Sequence, residues 1–247
     1  MEEIDKSINE LIEKFLKIKN ESLKESLRKG TTGIGYTFES SLGKKEDTSF
    51  LPDFKGIEIK TKLGYSKSKL TLFCLTPIME NENAIKFLTN NFGYPNKNNK
   101  NFNSFKGDLF FNNNNLIGTK FNFRLKIEDN KLRLYVLNLE YQLINNEIFW
   151  NLDEIKNRLE TKLKYLAIIQ GYPYTQNGKK LYKYTNMGIY KLKDFSTFTK
   201  LLTQNIINIT FNIDTFLENE RYGEVHDHGT AFKISLDNIE KLFTKIY

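Results

Sequence analysis

The 247-residue chain carries 37 Lys and Arg against 30 Asp and Glu, a net charge of +7. With 39% apolar residues and 14% aromatics it has material for a packed core, in one large domain or two small lobes, which excludes wholesale disorder. No long apolar run marks a membrane span and no basic-then-apolar leader marks secretion. The single Cys74 excludes an intrachain disulfide and a Cys-rich zinc site, so a cytoplasmic protein is expected. The basic balance is compatible with a polyanionic partner.

Apolar residues at Ile4, Ile8, Leu11, Ile12, Phe15, Leu23 and Leu27 predict a first helix over residues 4 to 27, ended by Gly30. Thr32 is a candidate cap for a second short helix bearing Ile34, Phe38 and Leu42, with Gly33 and Gly35 near its start. Residues 54 to 61, FKGIEIKT, read as a strand, with Ile57 and Ile59 on one face and Glu58 and Lys60 on the other. Residues 70 to 75, LTLFCL, read as its neighbour. Residues 83 to 92 look helical, and the polar stretch 93 to 104 reads as a loop.

Two alternating segments around Glu128, Asp129 and Asn130 predict a β-hairpin. Residues 151 to 163 read as a helix and 164 to 171 as a buried strand. Residues 179 to 192 read as a strand, 195 to 202 as a helix, 206 to 213 as a strand and the tail from Leu236 as a short helix. Strands and helices mix without a regular βαβ alternation, so the expected class is mixed α/β or α+β.

The chemistry concentrates in Pro52-Asp53-Phe54-Lys55-Gly56-Ile57-Glu58-Ile59-Lys60-Thr61. On a strand, Glu58 and Lys60 project from one face, roughly 7 Å apart at the backbone. Asp53 precedes the strand at a Pro turn and is placed to fold back toward Glu58. Two carboxylates define a hard-oxygen pocket suited to Mg²⁺, with the Ile59 carbonyl as a further ligand. A cation held there neutralises a phosphate and acidifies water, and Lys60 would orient or help deprotonate that water. The plain reading of the same residues is a solvated face on an amphipathic strand. Glu39, on the second helix, is a candidate third acid, and an exposed helical Glu on the plain reading. Five lysines between residues 53 and 69, including Lys62, Lys67 and Lys69, make that segment a candidate phosphate contact.

Both histidines fall in Arg221-Tyr222-Gly223-Glu224-Val225-His226-Asp227-His228-Gly229-Thr230-Ala231-Phe232-Lys233. His-x-His suits zinc, but no third ligand pattern accompanies it. It suits a catalytic base, but no Ser or Cys nucleophile motif is present. It also suits base readout: His and Lys donate to guanine N7 and O6, and Asp accepts from cytosine N4. A polar turn between strands is the plain alternative.

Taken together, residues 29 to 39 (KGTTGIGYTFE), Pro52-Asp53-Phe54, residues 57 to 61 (IEIKT) and residues 226 to 232 (HDHGTAF) resemble the MvaI/BcnI restriction endonucleases. Residues 70 to 73 and Lys162-Leu163-Lys164-Tyr165 add to the match. The resemblance implies the PD-(D/E)XK restriction-endonuclease-like fold of MutH type. It implies two lobes around a DNA cleft: a catalytic lobe mainly from about 1 to 160 and a recognition lobe mainly from about 161 to 240.

It further implies a monomer that cleaves double-stranded DNA with Mg²⁺, Mn²⁺ substituting, one strand per binding event, at a short G·C-rich site of the CCNGG kind. A cognate DNA methyltransferase would be a separate protein. By resemblance Asp53 and Glu58 hold the metal, Lys60 is the catalytic lysine and Glu39 the helix-borne acid. His226, Asp227 and His228 contribute to readout, with Arg221, Tyr222, Thr230 and Lys233 as further DNA contacts. Lys233 departs from the Arg of the family pattern and gives a point charge in place of a bidentate fork. Two other functions remain on the sequence: a repair-type DNA nicking endonuclease and a non-catalytic DNA-binding module.

Overall fold

The computed structural model describes residues 2–44, 51–218 and 220–247. The chain forms two compact units that interleave along the sequence. One takes residues 1–68, 158–194 and 239–247, the other 69–157 and 195–238. The sequence reading drew one boundary near residue 160. The contacts divide the chain at four places, because the sheet of the first unit draws strands from widely separated parts of the sequence.

In the first unit Glu58–Leu63 pairs in parallel with residues 166 to 171 of the long strand Tyr165–Gln176. That strand pairs antiparallel with Lys179–Leu192, which also takes the short strands Lys24–Glu25 and Phe243–Lys245 at its other edge. The helices Glu2–Asn20 and Gly33–Ser41 cover one face. Leu11, Phe15 and Ile18 from the first, with Ile34 and Phe38 from the second, share a buried cluster with Ile57, Ile59, Ala167 and Ile169. The alternation of Ile57 and Ile59 with Glu58 and Lys60 thus sorts core from site, as period 2 requires.

The first helix stops at Asn20, short of the expected Leu27. Beyond Ile18 the apolar spacing is lost, Leu27 is 60% exposed, and Lys24–Glu25 satisfies its backbone by pairing with Leu181 and Tyr182. Gly30 lies in the loop after that pairing, at φ +85°. Leu70–Cys74 is a strand, but not the neighbour of Glu58–Leu63. It lies in the second unit, paired with Ala231–Ile234. Alternating burial shows that a segment is a strand and not which strand it joins.

The second unit holds a mixed-length sheet ordered Leu70–Cys74, Ala231–Ile234, Ile207–Thr215, Asn103–Leu109 and Tyr94–Pro95, with Val225–Asp227 also paired to Ile207–Thr215. A four-stranded antiparallel sheet runs Asn115–Ile117, Phe121–Glu128, Lys131–Leu137 and Leu143–Asn151. The hairpin between its middle strands turns on Asp129 and Asn130, both at positive φ, as a tight two-residue hairpin turn requires. Phe73 stacks on Phe232 at 4.7 Å, and Phe105 meets Phe211 edge-on at 5.1 Å. Asn83 caps the helix Ala84–Phe92 by accepting the Lys86 N–H at 2.9 Å. Among the described residues no helix is long and apolar enough to cross a membrane.

Candidate active site

The acidic–lysine segment owes its shape to a two-residue turn. Phe54 and Ile57 exchange backbone hydrogen bonds at 2.9 and 2.8 Å, with Lys55 at φ +42° and Gly56 at φ +86° between them. Two successive positive φ values are the signature of the hairpin turn that matches strand twist, and Gly takes the second without strain. The turn folds the chain back so that the Asp53 carboxylate accepts the Ile59 N–H at 3.0 Å. The other Asp53 oxygen is ion-paired with Lys44, just past the second helix.

Glu58, Lys60 and Lys162 converge beside it. The Glu58 carboxylate is buried, with 1% exposure. Its Oε1 lies 2.6 Å from Lys60 Nζ and 3.5 Å from Lys162 Nζ. Its Oε2 is buried and, among the described residues, lacks a hydrogen-bond partner. Asp53, Glu58, Ile59 and Lys60 line one open recess of about 430 Å³ together with Glu39, Arg28, Thr61 and Lys162.

Each acid has its own electrostatic state. Burial pushes the Glu39 carboxyl up to about 7; the Asp53 charge adds to this and the Lys44 and Lys60 ammonium groups oppose it. Burial acts on Asp53 too, but hydrogen bonds from Lys44 and the Ile59 N–H outweigh it and hold that carboxyl below its ordinary value. Burial raises Glu58, with Lys60 pulling the other way. The recess therefore sets one firmly ionised carboxylate beside two reluctant ones.

One glycine of the second helix sets its distance from the strand of Lys60: a Cβ on Gly35 would stand 2.9 Å from Thr61 Oγ1. Gly33 packs elsewhere, where a Cβ would stand 2.6 Å from the Arg28 carbonyl oxygen and 2.8 Å from the Tyr182 hydroxyl.

The second cluster is built differently. Val225–Asp227 pairs with residues 213 to 215, and the His228 N–H donates to the Asn212 carbonyl at 2.9 Å. His226 packs on Phe216 at 4.7 Å, and the two imidazoles meet edge-to-face at 4.5 Å. Arg221 lies 4.2 Å over the Phe216 ring and pairs with Glu224 at 2.7 Å. Burial, then the neighbouring His228 and Arg221, lower the His226 pKa. Both Asp227 oxygens are engaged: Oδ1 accepts the Gly229 N–H at 2.9 Å, and Oδ2 accepts the Thr230 N–H and hydroxyl at 3.1 and 2.9 Å.

A model of the MvaI/BcnI restriction endonuclease family matches residues 12–243. The chain belongs to the MvaI/BcnI restriction endonuclease family. Two similar solved structures bear this out. One is described as a restriction endonuclease MvaI–cognate DNA substrate complex: it is 30% identical, covers 96% of each chain and superposes with a TM-score of 0.84. The other is MvaI in the absence of DNA: 29% identical, covering 97% of this chain and 96% of that one, with a TM-score of 0.61. No curated protein matches the chain. The MvaI/BcnI chain is thus a site-specific deoxyribonuclease, on the restriction-endonuclease mixed α/β fold expected from its sequence.

Among the residues singled out in this MvaI/BcnI chain, Asp53, Glu58, Ile59, Lys60 and Glu39 share the recess. Arg28, Thr61 and Lys162 join them, and Lys44 pairs with Asp53. Lys44 carried no spacing signal, since it meets Asp53 only after the turn closes. Lys62 is buried, at 7% exposure, and its ammonium group donates to the Ser68 carbonyl, so its burial corrects the expectation of a phosphate contact. Lys67 is exposed.

Lys69 belongs to the other unit, donating to Asn208 at 2.7 Å. Thr230, expected as a DNA contact, is fully buried against Asp227. Asp227 is a brace for its own loop. Tyr222 is 56% exposed against Phe102, and Lys233 is half-buried in its strand. Among the described residues no group of three or more His, Cys, Asp or Glu is gathered as a metal site, which leaves zinc at His226 and His228 without a third ligand.

Proposed function

We propose that this endonuclease is a type II enzyme that hydrolyses duplex DNA with Mg²⁺ held by Asp53, Glu58 and the Ile59 carbonyl. The observation that carries this reading is the buried Glu58 Oε2, a carboxyl oxygen with no donor among the described residues, on a side chain that lines the same recess as Asp53. A buried carboxylate oxygen in that state is costly unless a cation meets it. The donor set is all oxygen, which suits Mg²⁺, with Mn²⁺ able to replace it. Bound there, the cation supplies charge neutralisation at the phosphate and a more acidic water.

The chain's own side chains do the rest. Lys60, fixed on Glu58 at 2.6 Å, orients the attacking water and screens charge developing on phosphorus. Asp53 is held ionised and in place by Lys44 and the Ile59 N–H. Glu39, with its pKa at about 7, holds a proton at its carboxyl through the acidic range and releases it near neutrality. The bond cleaved is the P–O3′ bond, leaving a 5′-phosphate and a 3′-hydroxyl.

His226 and His228 read bases of a short G·C-rich pseudo-palindrome of the CCNGG kind, their ring N–H groups suiting guanine N7 and O6. One recess of this acidic–lysine kind among the described residues supports action as a monomer that nicks one strand per binding event. A separate methyltransferase protecting host DNA in the cytoplasm completes this reading. Digesting plasmid DNA with the purified chain and Mg²⁺, then sequencing the ends, tests it. Discrete 5′-phosphate ends at one G·C-rich site are expected. Scattered ends, or none, would overturn it.

A further inference from the structure

The strand of Glu58 and Lys60 runs into a turn, Gly64–Ser68, that is held with unusual care. The Gly64 N–H donates to the Gly171 carbonyl at 3.0 Å, and the Ser66 N–H to the Leu63 carbonyl at 2.9 Å. The hydroxyls of Ser66 and Ser68 are 2.8 Å apart. Beneath them the buried Lys62 ammonium donates to the Ser68 carbonyl. Burying an ammonium group costs several kcal/mol, on the order set by desolvation. Here that cost fixes a turn whose Tyr65, Lys67 and Ser68 face solvent.

The turn is also shaped for a ring. A Cβ on Gly64 would stand 2.3 to 2.8 Å from Cζ, the hydroxyl and Cε1 of Tyr172, so the hydroxyl end of the phenol sits against bare glycine backbone. Tyr65 packs beside it with ring centres 6.4 Å apart. The two are 63% and 36% exposed, and Tyr174 follows at 48%. Fixed, exposed tyrosines with hydroxyl groups and a lysine alongside are the chemistry of a sugar–phosphate contact: rings against deoxyribose, hydroxyls and ammonium on phosphate oxygens. From Lys60 to Gly64 the strand covers about 13 Å, close to four base-pair rises of duplex.

We propose that the Gly64–Ser68 turn and Tyr172 form a platform for the backbone of duplex DNA flanking the cleaved bond, recognised without regard to base sequence. Tyr65, Ser66, Lys67 and Tyr172 make the contacts, and Lys62 is a positioning residue. This rests on the reading of the recess as a DNA-cleaving site.

The test compares binding to two duplexes carrying the cleavage site mapped from plasmid ends, one with short flanks and one with long flanks. The wild type gains affinity on the longer duplex. The Tyr65→Ala/Tyr172→Ala double variant loses that gain by about tenfold, Gly64→Ala loses part of it by displacing the ring, and Lys67→Ala lowers the log–log salt slope on the long duplex by about one. An unchanged melting temperature of the double variant, read alongside, assigns the loss to the surface. Equal affinity of wild type and double variant for the long duplex, or equal losses on both lengths, would overturn the platform alone. A wild type that binds neither duplex would overturn the nuclease reading with it.

Discussion

The Asp53 carboxylate accepts the backbone N–H of Ile59 at 3.0 Å, six residues further along the chain. That bond closes the Lys55–Gly56 turn from its open side and sets Asp53 in the recess that Glu58 and Lys60 line. It gives the Asp-x4-Glu-x-Lys spacing a mechanical cause. A two-residue turn sets Asp53 opposite Glu58, and period 2 on the strand places Lys60 with Glu58. One residue more or fewer in the turn would send the carboxylate to the other face.

Gly56 is the residue that spacing depends on. At φ +86° an Ala would be strained by about 1 kcal/mol, though among the described residues its Cβ would meet only Ile4, at 3.6 Å. Gly56→Ala should lower stability by about that amount in a urea titration. It should slow single-turnover cleavage more than it weakens DNA binding, because Asp53 shifts. A variant with wild-type cleavage would show that the turn does not position the acid.

Glu39 gives a pH signature. Its folded pKa of about 7 lies above the ordinary 4.5, so the folded state binds its proton more tightly than the unfolded chain does. Stability is therefore favoured below 4.5 and falls as pH rises from 4.5 to about 7, by at most about 3 kcal/mol and less for a partly solvated side chain. Glu39→Gln should remove that fall. Urea midpoints at several pH values, wild type against variant, check it; parallel curves would contradict the assignment.

Much of this was legible in residues and spacing. The Ile57/Ile59 alternation named the core face, and the Asp53, Glu58 and Lys60 pattern picked out three residues that line one recess. Three things were not legible. The partner of Leu70–Cys74 is 157 residues or more away, at Ala231–Ile234, and local alternation carries no address. Lys44 meets Asp53, and Lys162 meets Glu58, only through tertiary folding. Lys62 and Thr230 read as surface contacts because residue type and spacing alone give no sign that a polar group turns inward.

Gly35 controls the approach of the Glu39 helix. With Cβ 2.9 Å from Thr61 Oγ1, Gly35→Ala must displace the Thr61 hydroxyl or the helix, at about 1–3 kcal/mol. Cleavage should fall while His226 and His228, in the other unit, keep their geometry and site preference. Comparing rates on cognate and single-base-altered duplexes checks this; a changed preference would contradict it.

Asp227 should behave as a brace. Asp227→Ala removes the acceptor of three donors from Gly229 and Thr230, costing about 1–3 kcal/mol and leaving buried Thr230 unsatisfied. Discrimination should weaken at every base pair of the site together, because the whole loop relaxes. Loss at a single position, measured on a panel of substituted duplexes, would mark Asp227 as a direct base contact.

The central claim is that Asp53, Glu58 and Lys60 act together on one phosphate. Single-turnover cleavage by Lys60→Met and Glu58→Gln, with DNA affinity measured on the same preparations, addresses it most directly. The expected result is a rate loss of about 10³-fold or more in each, with affinity within a few fold of wild type. Cleavage by either variant within tenfold of the wild-type rate would contradict it.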